Sequence, residues 1–248
     1  MNIIEAKDKL KKNGYTWFQL EEFDKEFYKW LLPFHCNEEK NLKKYFSSLL
    51  SNLTNSGRGP HMTLRENFNI HEEALTKKNE ILNSVKYSEI DKLRISQMWY
   101  YSDLNVIINK DEEIDRFKNY IKNLMMYFFD FDETQEYCLF APMFTYYDEG
   151  CKLQNHSDGT GTGRICALLI YLNETYDEKD GGILVLNNNE KVIPTFGKVA
   201  IIDLQTFDIP HMVTEVTGGI GRYAILSFVK RKEDEFIHSY ADRKKSLI

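Results

Sequence analysis

His156 and Asp158, in His156-Ser157-Asp158, set an imidazole and a carboxylate two residues apart. On an extended chain that spacing puts both on one face, where one cation can take both. His211, in Asp208-Ile209-Pro210-His211-Met212-Val213, heads a short apolar alternation, and a sheet that folds back brings it to the same cation. Two neutral imidazoles and one carboxylate on one side of a metal leave the opposite positions open, the facial arrangement that suits Fe(II) and oxygen chemistry. Arg222, on the strand expected after His211, adds a permanently charged planar fork matched to a carboxylate, which implies an acidic co-substrate. Alone, a His-x-Asp is most often a surface turn and a buried histidine a satisfied core residue. The combination carries the metal reading.

The segments around these residues resemble the 2-oxoglutarate and Fe(II)-dependent dioxygenases, closest to the prolyl hydroxylase branch. The matching stretches are Tyr147-Asp148-Glu149-Gly150 before His156-Ser157-Asp158, then Arg164 through Tyr171-Leu172-Asn173, and Gly181-Gly182-Ile183-Leu184. Pro194, Phe196, Gly197-Lys198-Val199, Pro210-His211-Met212-Val213 and Gly221-Arg222-Tyr223-Ala224-Ile225 follow in family order. The N-terminal half matches only loosely. The resemblance implies Fe(II) held by His156, Asp158 and His211. It also implies 2-oxoglutarate as co-substrate with its distal carboxylate on Arg222, dioxygen as oxidant, and ascorbate as an accessory reductant. Tyr171 matches the position whose hydroxyl also holds that carboxylate, against the alternative of a core aromatic; Tyr147 and, behind it, Tyr146 are further cofactor-binding candidates. The implied reaction hydroxylates an unactivated C–H bond and yields succinate and CO2. Halogenases of the superfamily lack the carboxylate ligand, so Asp158 favours hydroxylation.

One departure concerns spacing: Arg222 follows His211 by eleven residues, slightly more than in the prolyl hydroxylases. Gly218-Gly219-Ile220-Gly221 absorbs the excess, and an offset arginine is the alternative. The other is the N-terminal half, which offers no motif for the substrate. Arg58, Arg65, Arg94 and Trp99 are pocket candidates that surface ion pairs and core packing explain equally well.

The elements that must position these residues change character near residue 138. Before it, apolar residues recur at three and four, predicting helices over Ile3 to Lys12, Lys25 to Leu50, His71 to Val85 and Glu112 to Phe129. In the last of these, Ile114, Phe117, Ile121, Leu124, Met125 and Phe128 form a stripe expected to pack on the outside of a sheet. Tyr15 to Leu20 and Leu93 to Tyr101 read as strands, and Ser51 to Glu66 as a long loop, a candidate lid. After residue 138 come short β-patterns at Leu139 to Tyr147, Ile165 to Leu172, Ile183 to Leu186, Val199 to Ile202, His211 to Val216 and Tyr223 to Val229. Such a series is the mark of a sandwich or jelly roll. The family resemblance implies a mainly β fold with helical support, a double-stranded β-helix with N-terminal helices packed on one sheet. Gly159-Thr160-Gly161-Thr162-Gly163 precedes a strand rather than a helix, so it reads as a turn and not a phosphate cradle.

At 248 residues and 42% hydrophobic content, one domain over 1–248 is expected: 1–137 helical support and substrate loops, 138–230 the jelly-roll core, 231–248 a tail. A net charge of -6 and a pI near 5.6 argue against a nucleic-acid surface. No stretch is apolar enough to span a bilayer, and Met1-Asn2-Ile3-Ile4-Glu5 lacks the layout of a signal peptide, so a cytoplasmic location without membrane or nucleic-acid partners is expected. Cys36, Cys138, Cys151 and Cys166 show neither C-x-x-C spacing nor a compact disulfide framework and read as reduced. The leading function is a 2-oxoglutarate-dependent hydroxylase of an amino acid, free, carrier-bound or within a peptide or protein such as at proline. The alternatives are a metal-dependent jelly-roll enzyme that does not use 2-oxoglutarate and a non-catalytic binding jelly roll.

Overall fold

The computed structural model describes residues 1–32, 100–103, 111–132, 134, 137–147, 149–158, 163–218 and 221–231. Helix α1 (Ile3–Asn13) is fixed at both ends: the Asn2 side chain accepts from the Ile4 and Glu5 amides, Glu5 reaches back to Asn2, and Gly14 closes the last turn in the left-handed region. Strand β1 (Tyr15–Gln19) follows directly, then α2 (Leu20–Phe23) and α3 (Lys25–Leu31), the latter capped by Asp24 on the Phe27 amide. Strand β2 is Tyr100–Asp103 and helix α4 is Asp111–Phe129. The rest is β: β3 (Tyr137–Tyr147), β4 (Leu153–His156), β5 (Arg164–Tyr171), β6 (Leu184–Val185), β7 (Lys191–Val192), β8 (Lys198–Asp203), β9 (His211–Val213) and β10 (Arg222–Arg231).

Among the described residues these strands form two antiparallel sheets, one in the order β1-β8-β5-β10-β3-β2 and a smaller one in the order β4-β9-β6-β7. Strand alternation assigns the faces of the larger sheet. Leu168 and Ile170 of β5, Val199 and Ile201 of β8, and Tyr223 and Ile225 of β10 join one buried cluster with Ala6, Leu10, Phe18 and the α4 residues Phe117, Ile121, Leu124, Met125 and Phe128. Ala167, Leu169 and Tyr171, Ala200 and Ile202, and Ala224 turn the other way, into a second cluster with Leu184, Val192, Ile209 and Val213 from the smaller sheet. This is the expected jelly roll with helices on one sheet, and the α4 stripe packs where its period places it.

Several boundaries differ from the sequence expectation. Strand β9 stops at Val213 because the next pair is only half made by backbone: the Thr214 amide donates to the Ile183 carbonyl, but the Thr214 hydroxyl accepts from the Ile183 amide. Strand β6 is cut to two residues by the turn at Asn187–Asn189, where Asn188 and Asn189 both adopt positive φ. Strand β7, too short to show a period, was not expected. The predicted helix from Lys25 is described only to Leu31. The rest of it, the helix over 71–85, the loop over 51–66, residues 93–99, the tail over 232–248, and Arg58, Arg65, Arg94, Trp99, Cys36 and Thr160 lie outside the described residues. Cys151 and Cys166 are buried free thiols, and no helix among the described residues is long and apolar enough to cross a membrane.

Candidate metal and carboxylate-binding site

His156 and His211 are register partners across the β4–β9 ladder, so their rings stand side by side with centroids 4.3 Å apart. Each ring nitrogen Nδ1 lies within hydrogen-bond distance of the carbonyl two residues earlier: His156 to Gln154 at 2.9 Å and His211 to Ile209 at 3.0 Å. A carbonyl can only accept, so both Nδ1 atoms carry the proton and both Nε2 lone pairs are free for a cation. The Nε2 atoms point at one carboxylate, His156 at 4.0 Å from Asp158 Oδ1 and His211 at 3.7 Å from Oδ2. The three donor atoms lie within 4.8 Å of one another. Burial holds the His211 imidazole below the ordinary histidine value, which keeps it neutral and able to ligate. Two imidazoles and one carboxylate on one side fit a divalent first-row metal with open positions.

The placement of Asp158 differs from the strand argument. Strand β4 ends at His156, and Asp158 follows in irregular chain. Its carboxylate is met by Arg164 instead, and its segment is held by the neighbouring Ser157. Arg164, opening β5, brings Nη1 to 3.5 Å from Asp158 Oδ1 while its guanidinium rests 4.1 Å from the Phe228 ring centroid. Ser157, between the two candidate ligands, donates to Asp208, three residues before His211, tying the two ligand-bearing segments together. Neither contact was foreseen. A hydroxyl next to a candidate ligand and an arginine six residues on are too common in sequence to single out.

Arg222 opens β10 and shares the inter-sheet parity of Ala224. It is 1% exposed, the bulkiest of the fully buried side chains among the described residues. Asn173, the last residue of the Tyr-Leu-Asn run, sets its position. The Asn173 amide donates to the Gly221 carbonyl at 2.7 Å and its oxygen accepts from the Tyr223 amide at 2.9 Å, clamping the chain on both sides of Arg222. Gly221 is required there: at φ 84 a Cβ would stand 2.4 Å from the Tyr146 ring and 2.7 Å from the Tyr147 carbonyl. Strand β10 therefore enters the sheet with Arg222 opposite Tyr147, whatever the loop before it does.

The guanidinium lies between two aromatic rings, 4.8 Å from the Tyr147 centroid and 5.1 Å from that of Tyr171, whose hydroxyl accepts from Nη2 at 3.5 Å. Tyr146, the weaker candidate, turns instead to the helix-backed core and stacks on Tyr223 at 4.6 Å. No carboxylate among the described residues lies within ion-pair distance of Arg222, and its Nε has no hydrogen-bond partner. A permanent charge excluded from water and left without an anion is costly. Burial also raises the Tyr147 and Tyr171 phenols above their ordinary value, so both stay protonated as donors. A permanent cation with protonated phenols around it and an orphaned donor fits a carboxylate. Tyr176 also approaches this arginine, and the sequence offered only a turn-rich stretch as its context.

Comparison with known proteins agrees with this geometry. Residues 142–230 match the family profile described as the 2OG-Fe(II) oxygenase superfamily. Among solved structures, a Trichoplax adhaerens prolyl hydroxylase in complex with a hypoxia inducible factor oxygen degradation domain peptide is 15% identical. It matches with a TM-score of 0.56, covering 94% of this chain and 91% of its own. A Pseudomonas putida prolyl-4-hydroxylase is 14% identical with a TM-score of 0.51, covering 92% of this chain and 98% of its own. At such identities the likeness is one of fold. No curated protein matches the sequence.

Proposed function

We propose, from the match of residues 142–230 to the 2OG-Fe(II) oxygenase superfamily profile, that this chain is a hydroxylase using Fe(II), 2-oxoglutarate and dioxygen. Its proposed substrate class is an amino acid, with a prolyl residue in a peptide as the first candidate. One observation carries the reading: a His-Asp-His cluster and a buried arginine lacking an anion stand between the same two sheets.

His156, Asp158 and His211 would hold the metal through Nε2, one carboxylate oxygen and Nε2. Arg222, with the Tyr171 hydroxyl beside it, would hold the distal carboxylate of 2-oxoglutarate. When bound, metal and oxo acid supply the oxidation: dioxygen is consumed, the oxo acid leaves as succinate and CO2, and one oxygen atom enters the substrate C–H bond. The chain's own work is positioning. The Gln154 and Ile209 carbonyls fix both imidazole tautomers, a contribution of the kind that changes metal affinity roughly 10- to 100-fold when lost. Arg164 and Ser157 hold the Asp158 segment against β5 and against the His211 segment. The flanking Tyr147 and Tyr171 rings and the burial of Arg222 keep water from the guanidinium, which strengthens its attraction for an anion.

The test is succinate formation from 2-oxoglutarate by protein loaded anaerobically with Fe(II) and then exposed to air, with a panel of free amino acids and prolyl peptides. Stimulation by one compound identifies the substrate, and Asp158→Ala is expected to abolish both metal retention and turnover. Full activity in that variant would remove the triad assignment. A wild-type protein that neither retains Fe(II) nor forms succinate would leave a binding jelly roll.

A further inference from the structure

Tyr176 has no role in the site so far, yet its hydroxyl is a buried polar atom with no hydrogen-bond partner. Buried phenols normally find one. The position is fixed from both sides. Asn173, three residues earlier, is clamped to Gly221 and Tyr223. On the other side the turn at Glu178–Asp180 is pinned to the following loop, with Thr217 donating through its hydroxyl to the Lys179 carbonyl and through its amide to the Asp180 carbonyl.

Gly182 shows where the hydroxyl lies. A Cβ built there would be 2.5 Å from the Tyr176 hydroxyl and 3.3 Å from Cβ of Arg222, so the missing side chain leaves room for the phenol beside the root of the arginine side chain. Tyr176 and Arg222 also interact electrostatically; burial pushes the phenol up to about 12, with the arginine opposing. The hydroxyl is therefore a protonated donor at neutral pH. Two orphaned donors, the Tyr176 hydroxyl and Arg222 Nε, thus belong to side chains that meet at Gly182, and the arginine has no anion among the described residues.

We propose that Tyr176 is a further anchoring residue for the co-substrate, its hydroxyl donating to the same distal carboxylate that Arg222 binds. This rests on the reading of the site as one for 2-oxoglutarate and adds to it a second phenol beside Tyr171. A carboxylate offers about four lone-pair positions, enough for the guanidinium and both phenols. Tyr176 is then a specificity residue, favouring an oxo acid with a carboxylate at the far end over one without it.

The test is equilibrium binding, by calorimetry under anaerobic conditions, to full-length protein loaded with Mn(II). Tyr176→Phe is expected to weaken 2-oxoglutarate roughly tenfold, as the loss of one hydrogen bond to a charged group does. Oxalate, which chelates a metal but has no distal carboxylate, should bind the variant as it binds wild type, and Mn(II) affinity should not change. Unaltered 2-oxoglutarate affinity overturns the proposal, and so does equal weakening of both ligands, which marks a structural role. Failure of the parent reading looks different: wild-type protein would take up Mn(II) and not bind 2-oxoglutarate. If the variant melts early, 3-fluorotyrosine placed at 176 makes the same test in the folded protein, since its fluorine resonance must move when 2-oxoglutarate is added. A resonance that stays in place overturns the assignment.

Discussion

On the face of β5, β8 and β10 that meets the helices, Leu168, Ile170, Val199, Ile201 and Ile225 are almost wholly excluded from water against apolar partners. On the opposite face the same strands present Tyr171, Ala200, Ala224 and the guanidinium of Arg222. Both faces are buried, but they differ in what burial returns. On the helix side every methylene removed from water stabilises the fold by roughly 0.8 kcal/mol. On the inter-sheet side a charge and two donors have been taken from water without replacement partners, which opposes folding. One sheet thus separates a mainly apolar surface, whose unsatisfied Tyr120 hydroxyl is neutral, from one that buries an unpaired charge.

The largest effect that would sharpen this contrast comes from the helix face. Phe128 is 1% exposed and stacks on Phe18 at 5.0 Å, with Phe23 at 6.0 Å. Phe128→Ala should lower the free energy of unfolding by about 3–5 kcal/mol through lost transfer energy and the cavity left behind, measured by urea denaturation. Affinity of the still-folded protein for 2-oxoglutarate should not change. A parallel loss of affinity would mean that the two faces are not separable.

Arg222→Met is the matching change on the other face. Removing the guanidinium proposed to hold the distal carboxylate should weaken 2-oxoglutarate by roughly 100-fold or more. The ligand-free protein should be as stable as wild type or more so, because an unpaired buried charge gives way to an apolar chain of similar reach. Calorimetric binding and urea denaturation check the two halves. A variant that loses metal, ligand and stability together would make Arg222 a structural residue and erase the contrast.

How much of this was legible in the sequence follows from the range of the signals. Local periodicity placed α1, α4, β1, β3, β5, β8 and β10 within a few residues, because each buries one face over several turns or pleats. The short strands β4 and β7 carry too few residues for a period. The residues His156, Asp158, His211 and Arg222 could be nominated from type and order, and the fold brings the first three together. What the sequence could not show were the contacts that cross between segments. The Asn173 clamp spans about fifty residues and fixes the chain on both sides of Arg222, yet in sequence Asn173 is simply the end of Tyr-Leu-Asn. Arg164 on Asp158, Ser157 on Asp208 and Tyr176 beside Arg222 are likewise products of the turns and sheet pairings that carry them. The same-face argument for His156 and Asp158 failed in its particulars, since β4 ends between them, and the aspartate reaches the histidines through its side-chain partners.

The smallest expected effect tests whether a charge on the inter-sheet side must always lack partners. Glu190, in the loop before β7, is such a charge with partners inside the protein. It pairs with Lys9 of α1 and accepts from the Trp17 indole at 2.8 Å and the Tyr15 hydroxyl at 3.2 Å. Burial alone would raise its carboxyl, but the hydrogen bonds from Lys9, Trp17 and Tyr15 and the lysine charge together hold it below the ordinary value of 4.5. A carboxyl depressed in the folded state contributes stability that is complete above the unfolded value and is lost as pH falls through the folded one. Wild-type protein should therefore lose more stability than Glu190→Gln as the pH is lowered from 6 towards 3. The difference should stay within about 1 kcal/mol because the pair is partly in water. Superimposable urea-denaturation profiles across that range would mean that the network contributes geometry and no net energy. Glu190 would then resemble Arg222 in cost.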